Sequence, residues 1–266
     1  MTIRTASGGS AAARPWLALA VLMSGAVAAP AAEIQVFTSG APSTVQRAIA
    51  ATFTQQTGVE VVITADTLAK LRERLSGGAR ADVIVLPRPA MLELDKAGQL
   101  RAQSLTDLAR VGIGVAVREG APKPDISSVE ALRATLLNAK SIAHPDPRGG
   151  GFAGAQIDLM FEKLGIAAAV RPKVVLMYAF AGGVEGIARG DAEIGLFNIS
   201  EIIPIKGVTL VGPLPAELQS YITFAGALHA RSASPQAAEA FLRALSDPAA
   251  QEAWRSNGFE ALRREN

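Results

Sequence analysis

One segment of the sequence combines a cationic side chain with a glycine run just before a predicted helix. Arg148 is followed by Gly149, Gly150 and Gly151, and a helical apolar periodicity begins at Ala153. Glycines let a backbone approach a ligand closely, helix-start amides attract anions, and a guanidinium pairs with a carboxylate through two hydrogen bonds. The segment therefore predicts an anion site suited to a carboxylate, with a flexible surface loop as the alternative.

The same glycines, together with Gly154, match the GxGxxG pattern of dinucleotide-binding proteins. That pattern needs an acid at the end of the next strand, about 20 residues on. Here the predicted strand Lys173 to Met177 leads instead into Tyr178 and apolar residues. Nucleotide binding is therefore not predicted and no cofactor is expected. The sequence also contains no P-loop, GxSxG or HExxH motif.

A turn rich in hydroxyl groups follows the first predicted strand, which begins at Glu33. It contains Thr38, Ser39, Gly40 and Ser43. In open α/β sheets, ligands bind beyond the carboxyl ends of strands, where helix-start amides lack partners within the helix. The turn therefore predicts ligand contacts, and an ordinary helix start is the alternative.

Three later strand-to-helix junctions supply further candidates. Thr67 beside Asp66 ends the second strand–helix junction, Gly183 opens a later helix, and Asn198 ends a later strand, shortly before Glu201. Thr67, Gly183 and Asn198 are predicted to contact the ligand. The alternatives are a Thr or Asx cap at residues 66 and 67, a simple turn at Gly183 and an exposed cap at Glu201.

The composition excludes several classes of function. The 266 residues include no cysteine and two histidines, so neither a thiolate site nor a histidine-rich metal site is expected. Arg4 and Arg14 are the charged residues before Glu33, and beyond them 24 basic residues balance 24 acidic ones. A near-neutral chain does not favour nucleic acid as a partner.

The first 32 residues predict a Sec signal peptide. Arg4 and Arg14 precede the apolar run Pro15 to Met23, and small residues then form a cleavage site around Ala26 to Ala31. The run is shorter than the roughly 20 residues that span a bilayer. The mature chain is therefore expected in the periplasm, free of a lipid anchor because it has no cysteine.

Strand-like and helix-like segments alternate along the rest of the chain, which predicts an α/β fold. A long strand, Ala109 to Val117, is followed by the breaker Gly120 to Pro124, and a return crossing is predicted at Pro213 to Pro215. These crossings divide the chain into one lobe of residues 33–117 plus 214–266 and a second lobe of residues 118–213. A ligand cleft is expected between the lobes.

Four motifs occur in order across the mature chain: Ile34 to Ser43, Gly78 to Val85, Asp146-Pro147 followed by the glycine run and Phe161 to Gly165, and Gly190 to Gly195. Together they resemble the molybdate-binding branch of the type II periplasmic solute-binding proteins. The resemblance implies two lobes, each a mixed sheet flanked by helices, that close by a hinge on a small anion. It also implies a monomer that docks to an ABC permease of the inner membrane.

The molybdate branch holds its dianion with serine and tyrosine hydroxyls, where this chain has Ala41 beside Ser39, Asp66-Thr67 and Asn198. The expected ligand is therefore an organic di- or tricarboxylate or a molybdate-like oxyanion, bound without chemical change because no catalytic constellation is recognisable. The alternative is a periplasmic isomerase similar to aconitate isomerase, which shifts a double bond by proton transfer. Its base would be His144, Asp66 or Glu201, with Arg148 and the amides of Gly150 and Gly151 as donors, although His144 also suits a structural role.

Overall fold

Strands and helices alternate through the chain as the apolar patterns predict. The computed structural model describes residues 1–3, 32–149, 152–177 and 183–262. The predicted signal peptide lies almost wholly outside the described residues, as do Gly150 and Gly151. Of the described part, residues from 32 onward belong to one compact unit.

Ten strands occur in the described residues. They are β1 (Glu33–Thr38), β2 (Glu60–Ala65), β3 (Val83–Pro87), β4 (Thr106–Arg118), β5 (Ile142–Pro145), β6 (Val174–Met177), β7 (Ile194–Asn198), β8 (Val208–Pro213), β9 (Tyr221–Leu228) and β10 (Glu260–Ala261). The α-helices are α1 (Gly40–Thr57), α2 (Leu68–Ser76), α3 (Arg88–Lys96), α4 (Val129–Asn138), α5 (Phe152–Lys163), α6 (Ala167–Val170), α7 (Glu185–Arg189), α8 (Ile199–Ile202), α9 (Pro235–Ala244) and α10 (Pro248–Ser256). Short 3₁₀ turns cover Pro147–Gly149 and Arg171–Lys173.

The strands form a mixed sheet in the order β2-β1-β3-β9-β4-β7-β5-β6, and β8 and β10 also pair with β4. β1 is parallel to β2 and β3, and β5 is parallel to β6 and β7. The antiparallel strands β9 and β4 separate these two parallel groups. Within each group the carboxyl ends of the strands, and the helix starts that follow them, share one edge.

The long strand β4 changes partners in its middle. It pairs with β9 up to Gly112, opposite Tyr221, and with β7 from Ile113, opposite Asn198. At this change of partner, the Gln219 side chain makes the two hydrogen bonds to Ile113 that a neighbouring strand would make. Its amide nitrogen donates to the Ile113 carbonyl at 2.9 Å, and its oxygen accepts from the Ile113 N–H at 2.8 Å. The carboxyl end of β7 therefore lies beside the point where the two pairings meet.

Buried aromatic residues fix the C-terminal helices on α1. Phe53 of α1 meets Phe241 of α9 edge to face, with ring centroids 5.3 Å apart. Trp254 of α10 is fully buried, and its indole N–H donates to the Leu245 carbonyl at 2.9 Å. Buried aromatic side chains contribute large apolar area and pack best in such tilted arrangements. These contacts pack α9 against the C-terminal half of α1 and join α10 to the end of α9.

Asp82 ties the start of β3 to two other segments. Its carboxylate accepts from the Gln35 N–H at 2.8 Å, from the Ser232 hydroxyl at 2.6 Å and from the Ala233 and Ser234 N–H groups at 2.9 and 3.2 Å. Burial opposes its ionisation, but these hydrogen bonds outweigh burial and hold the pKa of Asp82 below its usual range. Asp82 in the motif Gly78 to Val85 is thus a structural anchor.

The α/β architecture predicted from the sequence is confirmed. Several elements were not identified from the sequence, and one of them borders the site: α3 begins at Arg88, directly after β3. Pro89 occupies its first turn, which proline tolerates, and Ala90, Met91 and Leu94 supply its buried face. No helix in the described ranges is long and apolar enough to cross a membrane. The lobe boundaries stay a prediction.

Candidate functional site

A cavity of about 310 Å³ lies where the carboxyl ends of the two parallel groups meet. Its walls come from the turns after β1, β2, β3, β5 and β7, together with one residue of β9. Such a crevice beyond strand ends is the usual place for a ligand in open α/β sheets. The lining residues in the described part of the chain are Ser39, Gly40, Ala41, Asp66, Thr67, Leu68, Arg72, Pro87, Pro89, Ala90, Glu93, Pro145, Ala153, Asn198, Glu201 and Phe224.

The turn after β1 presents a hydroxyl and two helix-start amides to the cavity. Ser39 precedes α1, and its buried Oγ makes no hydrogen bond to any described residue. The amides of Gly40 and Ala41 lie in the first turn of α1, where N–H groups have no partner within the helix. Thr38 and Ser43 were also predicted to contact the ligand. Thr38 is fully buried, and the Ser43 hydroxyl donates to the Gly40 carbonyl at 2.7 Å. Neither is among the described residues that line the cavity, and their ligand contacts stay predictions.

The turn after β2 combines a helix cap with two cavity-lining polar residues. The Thr67 hydroxyl accepts from the Lys70 N–H at 3.4 Å and so caps α2. Asp66 accepts from the Thr67 N–H at 2.8 Å and lies 3.8 Å from Lys70 Nζ and 3.7 Å from an Arg74 nitrogen. Capping, which the sequence analysis left as an alternative, is thus present, and both residues also line the cavity.

Asn198 and Glu201 form the polar wall opposite the first parallel group. Asn198 precedes α8 and Glu201 is its third residue, the spacing at which a glutamate reaches back to the start of a helix. Burial raises the pKa of the Glu201 carboxyl to about 7, although hydrogen bonds from the side chain and backbone of Asn198 lower it. Asn198 is 5% exposed, and its Oδ1 has no partner among the described residues. The cavity therefore holds a carboxyl group that changes charge near neutral pH.

His144 is not part of this cavity as described. Its Nδ1 lies 3.0 Å from the Pro145 carbonyl, its Nε2 lies 3.5 Å from Asp158 Oδ1, and its ring packs edge to face on Phe161. Burial lowers the pKa of His144, against opposing contributions from the Pro145 carbonyl and Asp158. His144 lines a second cavity, of about 300 Å³, whose wall also includes Asp158 and Phe161. Among the three candidate bases, Asp66 and Glu201 lie in the main cavity.

The guanidinium of Arg148, predicted to bind a ligand carboxylate, is paired with Asp146 of the same turn. Arg148 Nε and Nη2 donate to the two Asp146 oxygens at 3.0 and 2.9 Å, and the Arg148 side chain is 80% exposed. Neither Arg148 nor Gly149 nor Gly183 is among the described residues that line the cavity. Their predicted ligand contacts, like those of Gly150 and Gly151, which lie outside the described residues, stay predictions.

The third glycine of the GxGxxG match has a packing role. A Cβ on Gly154 would lie 2.2 Å from the Pro145 carbonyl oxygen, because α5 crosses the end of β5 at close range. This approach brings Ala153 and Pro145 together in the cavity wall. The glycine thus positions the site through backbone packing. No group of three or more metal-ligating side chains occurs among the residues described.

A sequence model of the family described as bacterial extracellular solute-binding protein matches residues 34–260. The chain belongs to this family. Aconitate isomerase of a Pseudomonas species is 31% identical over 257 residues, covering 93% of this chain and 97% of that protein. Molybdate-binding protein ModA of Escherichia coli (strain K12) is 25% identical over 255 residues, covering 93% and 98%.

Solved structures of solute-binding proteins share the fold. The periplasmic molybdate-binding protein of Azotobacter vinelandii aligns with a TM-score of 0.66 at 20% identity, covering 85% of this chain and 98% of the other. The sulfate-binding protein SubI of Mycobacterium tuberculosis H37Rv aligns with a TM-score of 0.67 at 20% identity, covering 87% of each chain. The family is periplasmic or extracellular, and the mixed sheet with flanking helices is its fold.

Two charged lining residues of this solute-binding protein were not among the candidates. Arg72 lies four residues into α2, and Glu93 belongs to α3. Arg72 could have been found by noting that residues 68 and 72 share one helix face, since Leu68 starts α2 beside the predicted Thr67. Glu93 required recognition of α3 itself, whose signal is Pro89 followed by apolar residues at helical spacing.

Proposed function

We propose that this protein binds a small unsaturated di- or tricarboxylate in the cavity and shifts its double bond by proton transfer, with Glu201 as the acid–base group. The observation that carries the proposal is a carboxyl group in the cavity wall whose pKa is raised by burial to about 7. A group with that pKa is present in both protonation states near neutral pH, as an acid–base catalyst needs to be.

The shift requires no cofactor and no net exchange of protons. The Glu201 carboxylate takes a proton from the methylene carbon beside the double bond, and the C–H electron pair forms the new double bond. The electrons of the old double bond then take up a proton from the same carboxyl at the far carbon. One carboxyl on one face of a flat substrate is sufficient for both transfers.

The intermediate carries additional negative charge on a substrate carboxylate, and the opposite wall supplies donors for it. The Ser39 hydroxyl lacks a partner among the described residues, and the Gly40 and Ala41 amides point from the start of α1. Donors fixed where charge develops lower the barrier, because they need no reorganisation. Asn198 holds Glu201 and offers its own Oδ1 to a protonated or hydroxyl group.

Incubation of the mature protein with trans-aconitate tests the proposal. The expected result is conversion to the cis isomer, separated by liquid chromatography, with loss of conversion in Glu201→Gln and retention in His144→Gln. Recovery of unaltered trans-aconitate from the wild-type protein, under conditions where calorimetry shows binding, would refute catalysis.

A second candidate is the one first favoured from the sequence: passive binding of a small anion for an ABC permease after Sec-dependent export to the periplasm. The family match over residues 34–260 favours it, and hinge closure of the two predicted lobes would enclose the ligand. This function predicts a molybdate-like oxyanion or a carboxylate that raises the melting temperature and is recovered unchanged. The raised pKa of Glu201 places it second, because a passive anion site gains nothing from a carboxyl that ionises near pH 7.

A further inference from the structure

Acidic side chains outnumber basic ones among the described residues that line the cavity, which disfavours an anionic ligand. Among the described lining residues, Asp66, Glu93 and Glu201 carry carboxyl groups and Arg72 carries the guanidinium. A ligand with two or three carboxylates needs a cation, because an unpaired charge in a cavity is costly. Among the described lining residues, Arg72 is therefore the candidate partner for a ligand carboxylate.

The carboxylate that Arg72 now contacts belongs to an exposed residue. Arg72 Nη2 is paired with Glu93 Oε2, and the two side chains are 46% and 65% exposed. Exposed ion pairs contribute little to stability, so exchanging one carboxylate for another costs little. Asp66, by contrast, is 17% exposed and holds its own contacts to the Thr67 N–H, Lys70 and Arg74. Arg72 is the cation whose partner can be exchanged at low cost.

We propose that Arg72 selects carboxylate-bearing ligands, and that a ligand carboxylate displaces Glu93 from its guanidinium. This inference rests on the proposed use of the cavity for an organic acid. The planar guanidinium matches a carboxylate through two parallel hydrogen bonds, a geometry that a tetrahedral oxyanion does not require. Arg72 would thus set the substrate class.

The displaced Glu93 has room to move. Arg72 and Glu93 also line an adjoining cavity of about 330 Å³ whose wall includes Ser76 and Gln99. The Gln99 amide can donate a hydrogen bond to a carboxylate, whereas the Ser76 hydroxyl already donates to the Glu73 carbonyl and Glu73 adds a second carboxylate to this wall. The ion pair thus stands between two cavities, with ligand on one side and space for Glu93 on the other.

Calorimetric titration with propane-1,2,3-tricarboxylate tests the inference with a probe that has no double bond to move. Arg72→Gln should weaken binding by about tenfold or more, since a charge-assisted pair is lost. Glu93→Gln should strengthen binding by about two- to fivefold, because it removes the competing carboxylate. Arg243→Gln is the matched control: it removes an exposed guanidinium, paired with Glu239, that is not among the described lining residues, and it should leave affinity unchanged.

The expected changes in affinity have opposite signs for Arg72→Gln and Glu93→Gln, and this distinguishes a ligand-binding role from a structural one. A merely structural ion pair would change affinity in the same direction, or not at all, when either partner is removed, and either result would overturn the inference. If Arg72→Gln fails to fold, Arg72→Lys replaces it, and affinity equal to wild type would also refute a requirement for the planar fork. Opposite changes with the saturated probe would stand even if trans-aconitate is never isomerised, so failure of the two proposals can be told apart.

Discussion

Replacing Glu201 by glutamine should remove a pH dependence from the stability of the protein. The pKa of this carboxyl is about 7 in the folded chain against 4.5 when it is solvated, so the folded state binds the proton more tightly than the unfolded state. The stabilisation is complete below about pH 4.5 and is lost as the pH rises through about 7. Since each tenfold change in proton affinity is about 1.4 kcal/mol, the loss is about 3 kcal/mol.

Urea unfolding without ligand, followed by tryptophan fluorescence between about pH 4.5 and about pH 8, measures this loss. The free energy of unfolding of Glu201→Gln should rise relative to wild type by about 3 kcal/mol across that range, because glutamine stays neutral. Comparing the two chains cancels the titration of the other groups. Glu217→Gln, at an exposed position, is the control and should follow wild type. A difference between wild type and Glu201→Gln that does not vary with pH would refute the assigned environment of Glu201.

Three further substitutions test the scaffold and the opposite wall of the cavity. Gly154→Ala should lower the free energy of unfolding by about 2 kcal/mol or more, because its Cβ meets the Pro145 carbonyl; unchanged urea unfolding would contradict this packing. Asp82→Asn should cost about 2 kcal/mol at neutral pH, and the cost should shrink as acid protonates the wild-type carboxylate, whereas a pH-independent cost would argue against an ionised anchor. Ser39→Ala should weaken tricarboxylate binding by about tenfold in calorimetry without lowering the melting temperature; equal affinity would remove its hydroxyl from the site.

The fold could be predicted from the sequence because its signals are local. The continuous apolar run Val83 to Leu86 and the periodic Val45 and Phe53 are buried as their patterns predict. A helix was expected after β1, and α1 begins there at Gly40, with Pro42 in its first turn. The missed helix α3 follows β3 with no loop, because Pro87 is both the last residue of the strand and the residue that precedes the helix.

The sequence indicates where in the fold a candidate residue lies, but it does not indicate which side chain that residue pairs with. Ser39 and Thr67 follow neighbouring parallel strands and therefore share one edge of the sheet. Asn198 ends β7 in the other parallel group, and it lies beside the point where β4 changes partners. Side-chain partners are set by short-range competition that spacing does not reveal. Arg148 pairs with Asp146, two residues before it, while Arg72 and Glu93 meet from two different helices.

The most direct test of the account is a proton NMR experiment on trans-aconitate in deuterium oxide. If Glu201 removes a proton from the methylene carbon, wild-type protein should accumulate the cis isomer. Deuterium should enter the methylene position to the extent that the Glu201 proton exchanges with solvent between the two transfers, and Glu201→Gln should show neither change. A spectrum in which saturating wild-type protein produces neither the cis isomer nor any loss of methylene signal would contradict proton transfer in this cavity.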